Sequence, residues 1–572
     1  MKQLITSLVF VLSIGMIAQN QLIIPSTIQD TNINLTLQNG THQFFAGQNT
    51  ATMGANGNVL GPTLIVNNGD NLNINVTNNL GEPTTIHWHG LHISASNDGG
   101  PHTIIDPGTT WNPQFTVNNK AATYWYHPHL VDFTDEHVTK GLAGLIIVRD
   151  AEEAALNLPR TYGVDDIPLV VQTKDFDVNY QVVNHTNNDD TIMVNATVDP
   201  MTDLPAQVVR LRLLNGSTQR TFNFGFSGNL TFYQIATDGG LKENPLPLTR
   251  LRLSNGERTE ILVDLTGMQG QTIQLMSYAS ELSNGINGAT NPGASPAMQL
   301  NNYYPNPLNG TDFNILQLNV VAQTANPVTT IPNSLVTVTP YLESDSDQTR
   351  DFAFSSIVGG INALNGEFTI NNVSMDMNVI NVTIPLNNTE IWNIQNGTPS
   401  AHPFHIHDIQ FYILDIDGNM PPPYLQGWKD TVLLRPGQVV RVITKFEDFA
   451  DDMIPFMYHC HMITHEDGGM MGQFVVVDPN AGVNDLSFES GFALFPNPSN
   501  GIYMTAKLAD LSKNITAYAV VNELGQIISY HKIHRNEINN MYSFPVFEYS
   551  TGIYMLKIFT EDTIYTKKFI VK

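Results

Sequence analysis

Residues 458–470 contain the only cysteine of the chain, and a histidine lies on each side of it. The residues before Cys460 have the pattern of a β-strand, in which neighbouring side chains point to opposite faces. If Cys460 binds one metal ion, His459 and His461 therefore point together toward a different site. One short peptide would then connect two metal centres, and the fold must bring the remaining ligands of both to it.

A blue copper site is built from a thiolate, two imidazoles and a long bond to a thioether. Cys460, His465 and Met470 can supply the thiolate, one imidazole and the thioether, so the second imidazole must come from elsewhere. A lone cysteine is more often an inert buried thiol than a ligand. The decision between the two depends on where the other histidines lie.

Ten of the 17 histidines lie in four tight clusters, and each cluster contains a His-x-His pair. In a strand, such a pair places both imidazoles on one face, about 7 Å apart along the backbone. Each pair can thus reach into a shared cavity and hold adjacent metal ions. The clusters are His87-Trp88-His89, His127-Pro128-His129, His402-Pro403-Phe404-His405-Ile406-His407, and His459-Cys460-His461 with His465.

Two of these clusters lie near the N-terminus and two lie about 300 residues later, so the two parts of the chain must pack together. The four pairs provide eight imidazoles, which suit three copper ions: two ions share six ligands and the third holds two. His402 and His465 are left over, and with Cys460 and Met470 they complete the separate blue site.

Short runs of alternating apolar and polar residues, broken by Asn-Gly, Gly-Asp and proline, fill most of the chain. This pattern, with little helical periodicity, predicts an all-β fold of sandwiches or barrels. Three such segments, residues 19–150, 151–324 and 325–479, each have the length of one domain. A turn-rich linker then leads into a fourth, smaller β module at residues 486–572.

The chain has a net charge of −26, which disfavours binding to nucleic acid or to an anionic membrane. A single cysteine excludes an intramolecular disulfide. Residues 1–18 carry one lysine before an apolar run that suits a secretory signal peptide and is too short to span a bilayer. No later apolar run is long enough to predict a membrane span. We therefore expect an exported protein.

The four histidine motifs, with His465 and Met470, resemble those of multicopper oxidases built from three cupredoxin domains, the family of laccases, bilirubin oxidases and cuprous oxidases. The resemblance covers residues 61–477 and implies Greek-key β-sandwiches that bind four copper ions. It assigns His402, Cys460, His465 and Met470 to the type 1 copper and His87 and His405 to the type 2 copper. The type 3 pair would be held by His89, His127, His129, His407, His459 and His461.

This resemblance implies that a small-molecule donor gives up electrons one at a time at the type 1 copper. Electrons then pass through Cys460 to His459 and His461, and the three-copper cluster reduces dioxygen to water. Asp98 and Glu466 resemble carboxylates that supply protons in the family, a general-acid role. The alternative is that each is a turn or hydrogen-bonding residue.

The substrate is the most open question in the sequence. Family members that oxidise cuprous ion have an acidic residue and methionines before the first type 1 histidine, whereas residues 397–401 are Gly-Thr-Pro-Ser-Ala. This departure favours a laccase-like action on phenols, with oxidation of cuprous or ferrous ion as the alternative. Met375-Asp376-Met377 suggests the only methionine clustering upstream, and Asp430 either shapes a substrate rim or has a structural role. A non-catalytic electron carrier would not need the eight additional imidazoles.

Residues 495–501, 552–557 and 567–572 resemble the C-terminal sorting domain of type IX secretion in Bacteroidetes. The resemblance spans residues 486–572 and implies the type IX secretion machinery as a partner, with release outside the cell or attachment to its surface. On composition alone, this module could equally bind carbohydrate or serve in packing. Three further histidines near the motifs are expected to be ordinary surface or loop residues: His92, His102 and His137.

Overall fold

The computed structural model describes residues 19–294, 306–357, 367–478, 491–499, 502–508, 513–522, 525–533, 540–547, 549–560 and 563–571. The predicted signal peptide, residues 1–18, lies outside the described residues. The chain divides into two compact units, Met1–Val477 and Asp478–Lys572. Strands make up most of the regular structure in both, so the all-β prediction is confirmed.

The first pair of sheets lies between residues 27 and 149. Its strands alternate as the sequence predicts: in Asn71–Asn79, Leu72, Ile74 and Val76 are buried, and Asn73, Asn75 and Thr77 are partly exposed. One sheet contains, in spatial order, Thr27–Ile28, Thr63–Asn67, Gly144–Arg149 and Ala122–Tyr126; the other contains Gln48–Ala55, Asn32–Phe45, Asn71–Asn79 and Thr110–Trp111, and Gln114–Thr116 also pairs with Asn71–Asn79.

The second pair of sheets includes the strand Asn20–Gln21, which pairs in parallel with Pro200–Pro205. The start of the described chain thus belongs to these sheets and not to the first pair. One sheet contains Thr197–Val198, Thr191–Val194, Asp166–Phe176, Val208–Asn215, Arg258–Asp264, Phe232–Thr237 and Gly240–Leu248, with Val182–Val183 at its side; the other contains Asn20–Gln21, Pro200–Pro205, Phe313–Val321, Thr272–Ser277, Phe222–Phe226 and Leu251–Leu253.

The strand Val208–Asn215 is buried on both faces, although it alternates leucine with arginine. Its leucines enter the core, while Arg210 and Arg212 form buried ion pairs, in which Arg212 Nη1 lies 2.6 Å from Glu260 Oε1. Glu260 also accepts a hydrogen bond from Thr123 of the first pair of sheets. The charged face therefore packs against a neighbouring sandwich, and because it is fully paired it avoids the cost of an isolated buried charge.

The third pair of sheets carries the cysteine motif. The strand Asp451–Cys460 lies beside His402–Ile406, and the register pairs Phe404 with Cys460 and His405 with His459. One sheet contains Phe368–Ile370, Gln348–Ser356, Thr389–Asn396, Val439–Lys445 and Tyr412–Ile416; the other contains Val382–Pro385, Met471–Val477, Asp451–Cys460, His402–Ile406 and Thr431–Leu434.

Helical segments are short. The α-helices are Ala95–Asp98, Thr134–Thr139, Ala151–Ala154 and Ile463–Asp467, and the 3-10 turns are Ser227–Asn229, Ala279–Glu281, Glu343–Asp345 and Pro423–Leu425. Among the described residues, no helix has both the length and the apolar character that crossing a membrane requires.

Each pair of sheets encloses its own apolar core. The three cores extend over residues 33–148, 167–320 and 352–476, with Leu22 in the second and Ala95 in the third. The unit Asp478–Lys572 has a further core of its own. Its two sheets contain Phe492–Phe495, Tyr503–Leu508 and Met541–Pro545, and Ile527–Lys532, Ala517–Asn522, Gly552–Phe559 and Ile564–Val571.

Candidate metal centre

The histidine motifs lie at the ends of strands and in the loops that follow. His87 forms a two-residue bridge with His127, directly after the strand Ala122–Tyr126. The strand Asp451–Cys460 ends at the cysteine, and His461 is the first residue beyond it. The strand predicted before Cys460 is therefore present, while the other pairs lie only partly within strands. The pairs still converge, because loops at adjoining strand ends meet in space.

One cluster is formed around the cysteine. The Cys460 sulfur lies 3.4 Å from His402 Nδ1 and 3.6 Å from His465 Nδ1, and the two nitrogens are 3.1 Å apart. His402 comes from the neighbouring strand, and the helix Ile463–Asp467 carries His465. All three side chains are fully buried, as is Met470, whose backbone carbonyl accepts a hydrogen bond from the Cys460 amide. Phe368 covers both imidazoles, at ring distances of 4.7 and 4.6 Å.

The eight other imidazoles form one buried cluster, in which two sets of three and a remaining pair can be distinguished; His87 of the pair also lies close to His89 and His127. In the first set, His89 Nδ1 lies 3.4 Å from His127 Nε2 and 3.2 Å from His461 Nε2. In the second, the Nε2 atoms of three histidines lie 3.2–3.3 Å from one another; these are His129, His407 and His459. The pair is formed by His87 and His405, whose rings are 5.9 Å apart.

These separations fit shared metal ions. Bonds of about 2 Å at tetrahedral angles place ligand atoms roughly 3.3 Å apart. The Nε2 atoms of His87 and His405 are buried and have no hydrogen-bond partner among the described residues. Buried polar atoms are normally paired. Two unpaired ring nitrogens that face a cluster of imidazoles therefore indicate that these atoms are placed to bind a metal ion.

Burial keeps these imidazoles neutral, which leaves a lone pair for a metal ion. Burial, and then repulsion between neighbouring imidazoles, lowers the pKa well below 6.5 for seven histidines: His89, His127, His129, His402, His405, His407 and His461. Burial also lowers the pKa of His459 to about 3, and it raises the pKa of the Cys460 thiol.

Two buried carboxylates approach the ring nitrogens that face away from the converging atoms. Asp98 Oδ2 accepts a hydrogen bond of 2.8 Å from His407 Nδ1, and the Asp98 carbonyl accepts one of 3.0 Å from His87 Nδ1. The Glu466 oxygens lie 3.3 Å from the Nδ1 atoms of His129 and His459. Burial raises the pKa of Glu466 well above 4.5, which favours its protonated form. Both carboxylates therefore contact the imidazole clusters directly.

The cysteine peptide connects the two parts of the centre. The sulfur of Cys460 faces His402 and His465, whereas His459 and His461 contribute to different sets of three imidazoles. Strand geometry explains this arrangement, because successive side chains leave opposite faces. The residue directly before Cys460 belongs to one imidazole set, and the residue directly after it belongs to the other.

Several residues near the site differ from expectation. His137 is fully buried in the helix Thr134–Thr139 and hydrogen-bonds to Thr84, whereas His92 lies in a loop, as expected, and forms ion pairs there. Asp430 is also fully buried, so it does not form a substrate rim. It contacts Arg258, a residue that the motif reading missed. Arg258 begins the strand Arg258–Asp264 of the second sandwich, which carries no ligand motif, and no sequence signal pointed to it.

Comparisons with known proteins agree with this geometry. Residues 36–153 and 339–480 match family models described as multicopper oxidase. Residues 493–572 match the model described as a secretion system C-terminal sorting domain, as predicted from the C-terminal motifs.

Similar proteins match about four-fifths of the chain. The multicopper oxidase mco of Staphylococcus haemolyticus is 33% identical over 476 residues, which is 80% of this chain and 93% of that protein. A laccase-like multi-copper oxidase CueO from Ochrobactrum sp., with oxidase activity towards lignin model compounds and lignosulfonate, is 34% identical with a TM-score of 0.70, over 80% of this chain and 100% of that one. A Campylobacter jejuni multicopper oxidase described as a metallo-oxidase is 26% identical with a TM-score of 0.67, over 81% of this chain and 96% of that one.

Sequence similarity over four-fifths of the chain, two matching family models and a buried set of copper-type donors lead to one conclusion. This chain belongs to the multicopper oxidase family and is a copper-binding oxidoreductase with a C-terminal sorting domain.

Proposed function

We propose that this protein is an exported, laccase-like oxidase that couples one-electron oxidation of a phenolic donor to four-electron reduction of dioxygen to water. Four copper ions would be held by the two clusters. The type 1 ligands would be His402, Cys460, His465 and Met470, and the type 2 ligands His87 and His405. The type 3 pair would be held by the two sets of three: His89, His127 and His461, and His129, His407 and His459.

The observation that carries this proposal is a cluster of eight buried imidazoles beside a buried thiol. An electron carrier needs only the ligands around Cys460, whereas this chain has eight further buried histidines in a second cluster. When bound, copper would accept single electrons at the thiol site and deliver four of them to dioxygen at the imidazole site. The peptide from His459 to His461 would connect the two sites through covalent bonds.

Protons for water formation would pass through Asp98 and Glu466. Asp98 contacts His87 and His407, and Glu466 lies against His129 and His459, so both carboxylates reach ligands of the imidazole cluster. Burial raises the pKa of Glu466 well above 4.5, which is the direction that a general acid requires. Replacement by the isosteric amide, Glu466→Gln or Asp98→Asn, should slow oxygen reduction by about 10²–10⁴-fold. Reduction of the blue site by the donor should proceed at the normal rate, which stopped-flow absorbance would measure.

The surroundings of the thiol site support an organic donor. Both imidazoles are fully buried beneath Phe368, so a donor would give up electrons through this cover without binding the copper. The residues before His402 lack the aspartate and methionines of cuprous oxidases. The proposal of phenols also follows the lignin-related activity described for the similar Ochrobactrum protein.

The test is copper analysis and oxygen uptake on the copper-loaded full chain. We expect about four copper ions per molecule and oxygen uptake with a substituted phenol in a ratio of four donors oxidised per dioxygen. One copper ion or none, or four ions without oxygen uptake on any donor, would refute the oxidase proposal.

Oxidation of cuprous or ferrous ion is a second candidate. The Campylobacter jejuni protein is described as a metallo-oxidase, and the Met375 amide hydrogen-bonds to the Gly469 carbonyl, which places Met375-Asp376-Met377 beside the loop of Met470. A kcat/KM for cuprous or ferrous ion well above that for every phenol tested would favour this candidate.

We also propose that the first unit consists of three domains, with boundaries near residues 150/151 and 324/325. Its three separate apolar cores support this division. Export would begin with removal of residues 1–18 as a signal peptide and continue through type IX secretion. The match of residues 493–572 to the sorting-domain model supports the second step.

A further inference from the structure

A buried arginine–aspartate pair lies directly behind the imidazole cluster. Arg258 Nη1 donates to Asp430 Oδ1 at 2.7 Å, and Nη2 donates to Oδ2 at 2.6 Å. Both side chains are fully buried. Arg258 begins a strand of the second sandwich, the part of the chain that carries no histidine motif, whereas Asp430 belongs to the third.

Asp430 contacts two histidines of the cluster through different atoms. Its Oδ1 lies 3.1 Å from His89 Nε2, and its backbone carbonyl accepts a hydrogen bond of 2.8 Å from His405 Nδ1. In each histidine, the nitrogen that contacts Asp430 is not the one that faces the cluster. His89 faces the cluster with Nδ1, and His405 has its Nε2 unpaired among the described residues. The two imidazoles stack on each other at 3.8 Å with an angle of 10° between their planes.

A histidine whose outer N–H is held by an acceptor has a fixed tautomer and a fixed ring orientation. Asp430 provides that acceptor for a type 3 and a type 2 ligand at once. Its own position is defined by Arg258, because a bidentate guanidinium fixes the plane of a carboxylate as well as its charge.

Backbone carbonyl groups also hold the Arg258 side chain in place. Its Nε donates to the carbonyl of Thr123, on the strand that leads to His127, and Nη2 also donates to the carbonyl of Asp238. Gly90 packs so closely that a Cβ there would lie 2.6 Å from Asp430 Oδ2 and 2.7 Å from Arg258 Nη2. The pair therefore has no room to shift without moving the backbone that follows His89.

We propose that Arg258 and Asp430 are positioning residues of the trinuclear copper site. Through them the second domain, which supplies no ligand, sets the tautomer and orientation of His89 and His405. This assignment rests on the proposed function, since it presumes that these imidazoles bind copper.

The test compares three variants with the wild type, each as the full copper-loaded chain: Asp430→Asn, Asp430→Glu and the double variant Arg258→Met/Asp430→Asn. The double variant removes both charges, and a buried ion pair replaced by neutral groups often costs little stability. The control is Arg220→Met/Asp189→Asn, another buried bidentate pair of the second sandwich, with contacts of 2.8 and 3.1 Å. The readouts are copper per molecule after dialysis against a chelator, the type 2 EPR spectrum and the blue absorption.

We expect each Asp430 variant to lose copper from the trinuclear site at about 10–100-fold lower chelator concentration, the usual effect of removing an outer partner of a ligand. The type 2 EPR hyperfine splitting should change, while the blue absorption persists. The double variant should unfold at the temperature of the wild type. It should still lose copper at a lower chelator concentration and show the changed type 2 EPR splitting. The control pair should show neither.

Two outcomes would overturn the assignment. The first is wild-type copper retention and EPR spectrum in the double variant, which would make the pair a structural ion pair only. The second is failure of all three variants to accumulate as folded protein while the control does, which would also assign it to stability. A wild type that binds one copper ion or none would instead refute the proposed function.

Discussion

His92 links the first sandwich to the third by ion pairs, and this contact predicts a stability that depends on pH. His92 Nδ1 lies 2.8 Å from Asp408 Oδ1, and Nε2 lies 3.4 Å from Asp448 Oδ2. Burial opposes the charging of His92, but the two carboxylates outweigh it and raise the pKa to about 9. Burial likewise raises the pKa of Asp408, and the charge of His92 opposes that shift. At neutral pH we therefore treat the two as an ion pair.

The magnitude follows from the difference between the folded pKa of about 9 and an unfolded value of about 6.5. Two and a half pKa units correspond to about 3 kcal/mol. Because the folded pKa is raised, this contribution is fully present below about pH 6.5 and is lost as the pH rises through about 9. The unit that contains His92 spans Met1–Val477. At that size the unfolding entropy is about 1 kcal/mol per degree, so we expect a fall in Tm of roughly 3 °C.

The assay is thermal unfolding of the wild type and of His92→Gln between pH 6 and pH 10. The difference between the two Tm values should shrink as the pH rises, and the comparison cancels other groups that titrate in this range, such as Lys174, whose pKa burial lowers to about 8. His102→Gln is the control, since burial lowers the pKa of His102, the opposite direction to that of His92. A Tm difference for His92→Gln that stays constant from pH 6 to pH 10 would refute the reasoning.

Three further predictions concern the copper centre and the C-terminal unit. Cys460→Ser should abolish the blue absorption and donor oxidation while the fold persists, because the replacement nearly conserves volume; a blue variant would disprove the thiolate assignment. Gly256→Ala should disturb the type 3 absorption, because the new Cβ would lie 2.9 Å from the His461 ring, at a positive φ of 79° that by itself costs about 1–2 kcal/mol. Gly267→Ala, with φ +74° and no atom within 4 Å, is its control and should lose stability alone. A chain that ends after Val477 should keep its copper content and oxidase rate, because no proposed ligand lies beyond that residue. It should not be exported to the medium. Loss of copper would show that the last unit supports the site.

The chemistry of the centre was readable from the sequence because ligand types and their spacing are local properties. His459, Cys460 and His461 occupy three successive positions, and strand geometry alone predicts that the sulfur and the two imidazoles face different ways. The alternation of Leu72, Ile74 and Val76 with polar residues likewise predicts a strand with one buried face. Such features need no knowledge of distant residues.

Contacts between distant segments were not readable in this way. His137 and Asp430 have no local signature that predicts their burial, because burial depends on the residues that pack against each one. The expectation of a surface or loop position was therefore wrong for His137, and for Asp430 the structural alternative fits its burial. Arg210 and Arg212 alternate with leucine as solvent-facing residues would, yet a neighbouring sandwich buries them against Glu260. Glu260, the ion-pair partner that both arginines share, lies 50 residues from Arg210 and 48 residues from Arg212 in sequence.

The sequence alone thus determined the all-β class and the donor types available to a metal site, because period and spacing encode these, whereas the sorting domain was predicted from its resemblance to a known family. Only the tertiary structure decided which nitrogens converge and which carboxylate or carbonyl holds each imidazole from behind. The physical reason is that a metal site of this kind is assembled from strand ends more than 300 residues apart, and its geometry is set by the packing of the sandwiches that carry them.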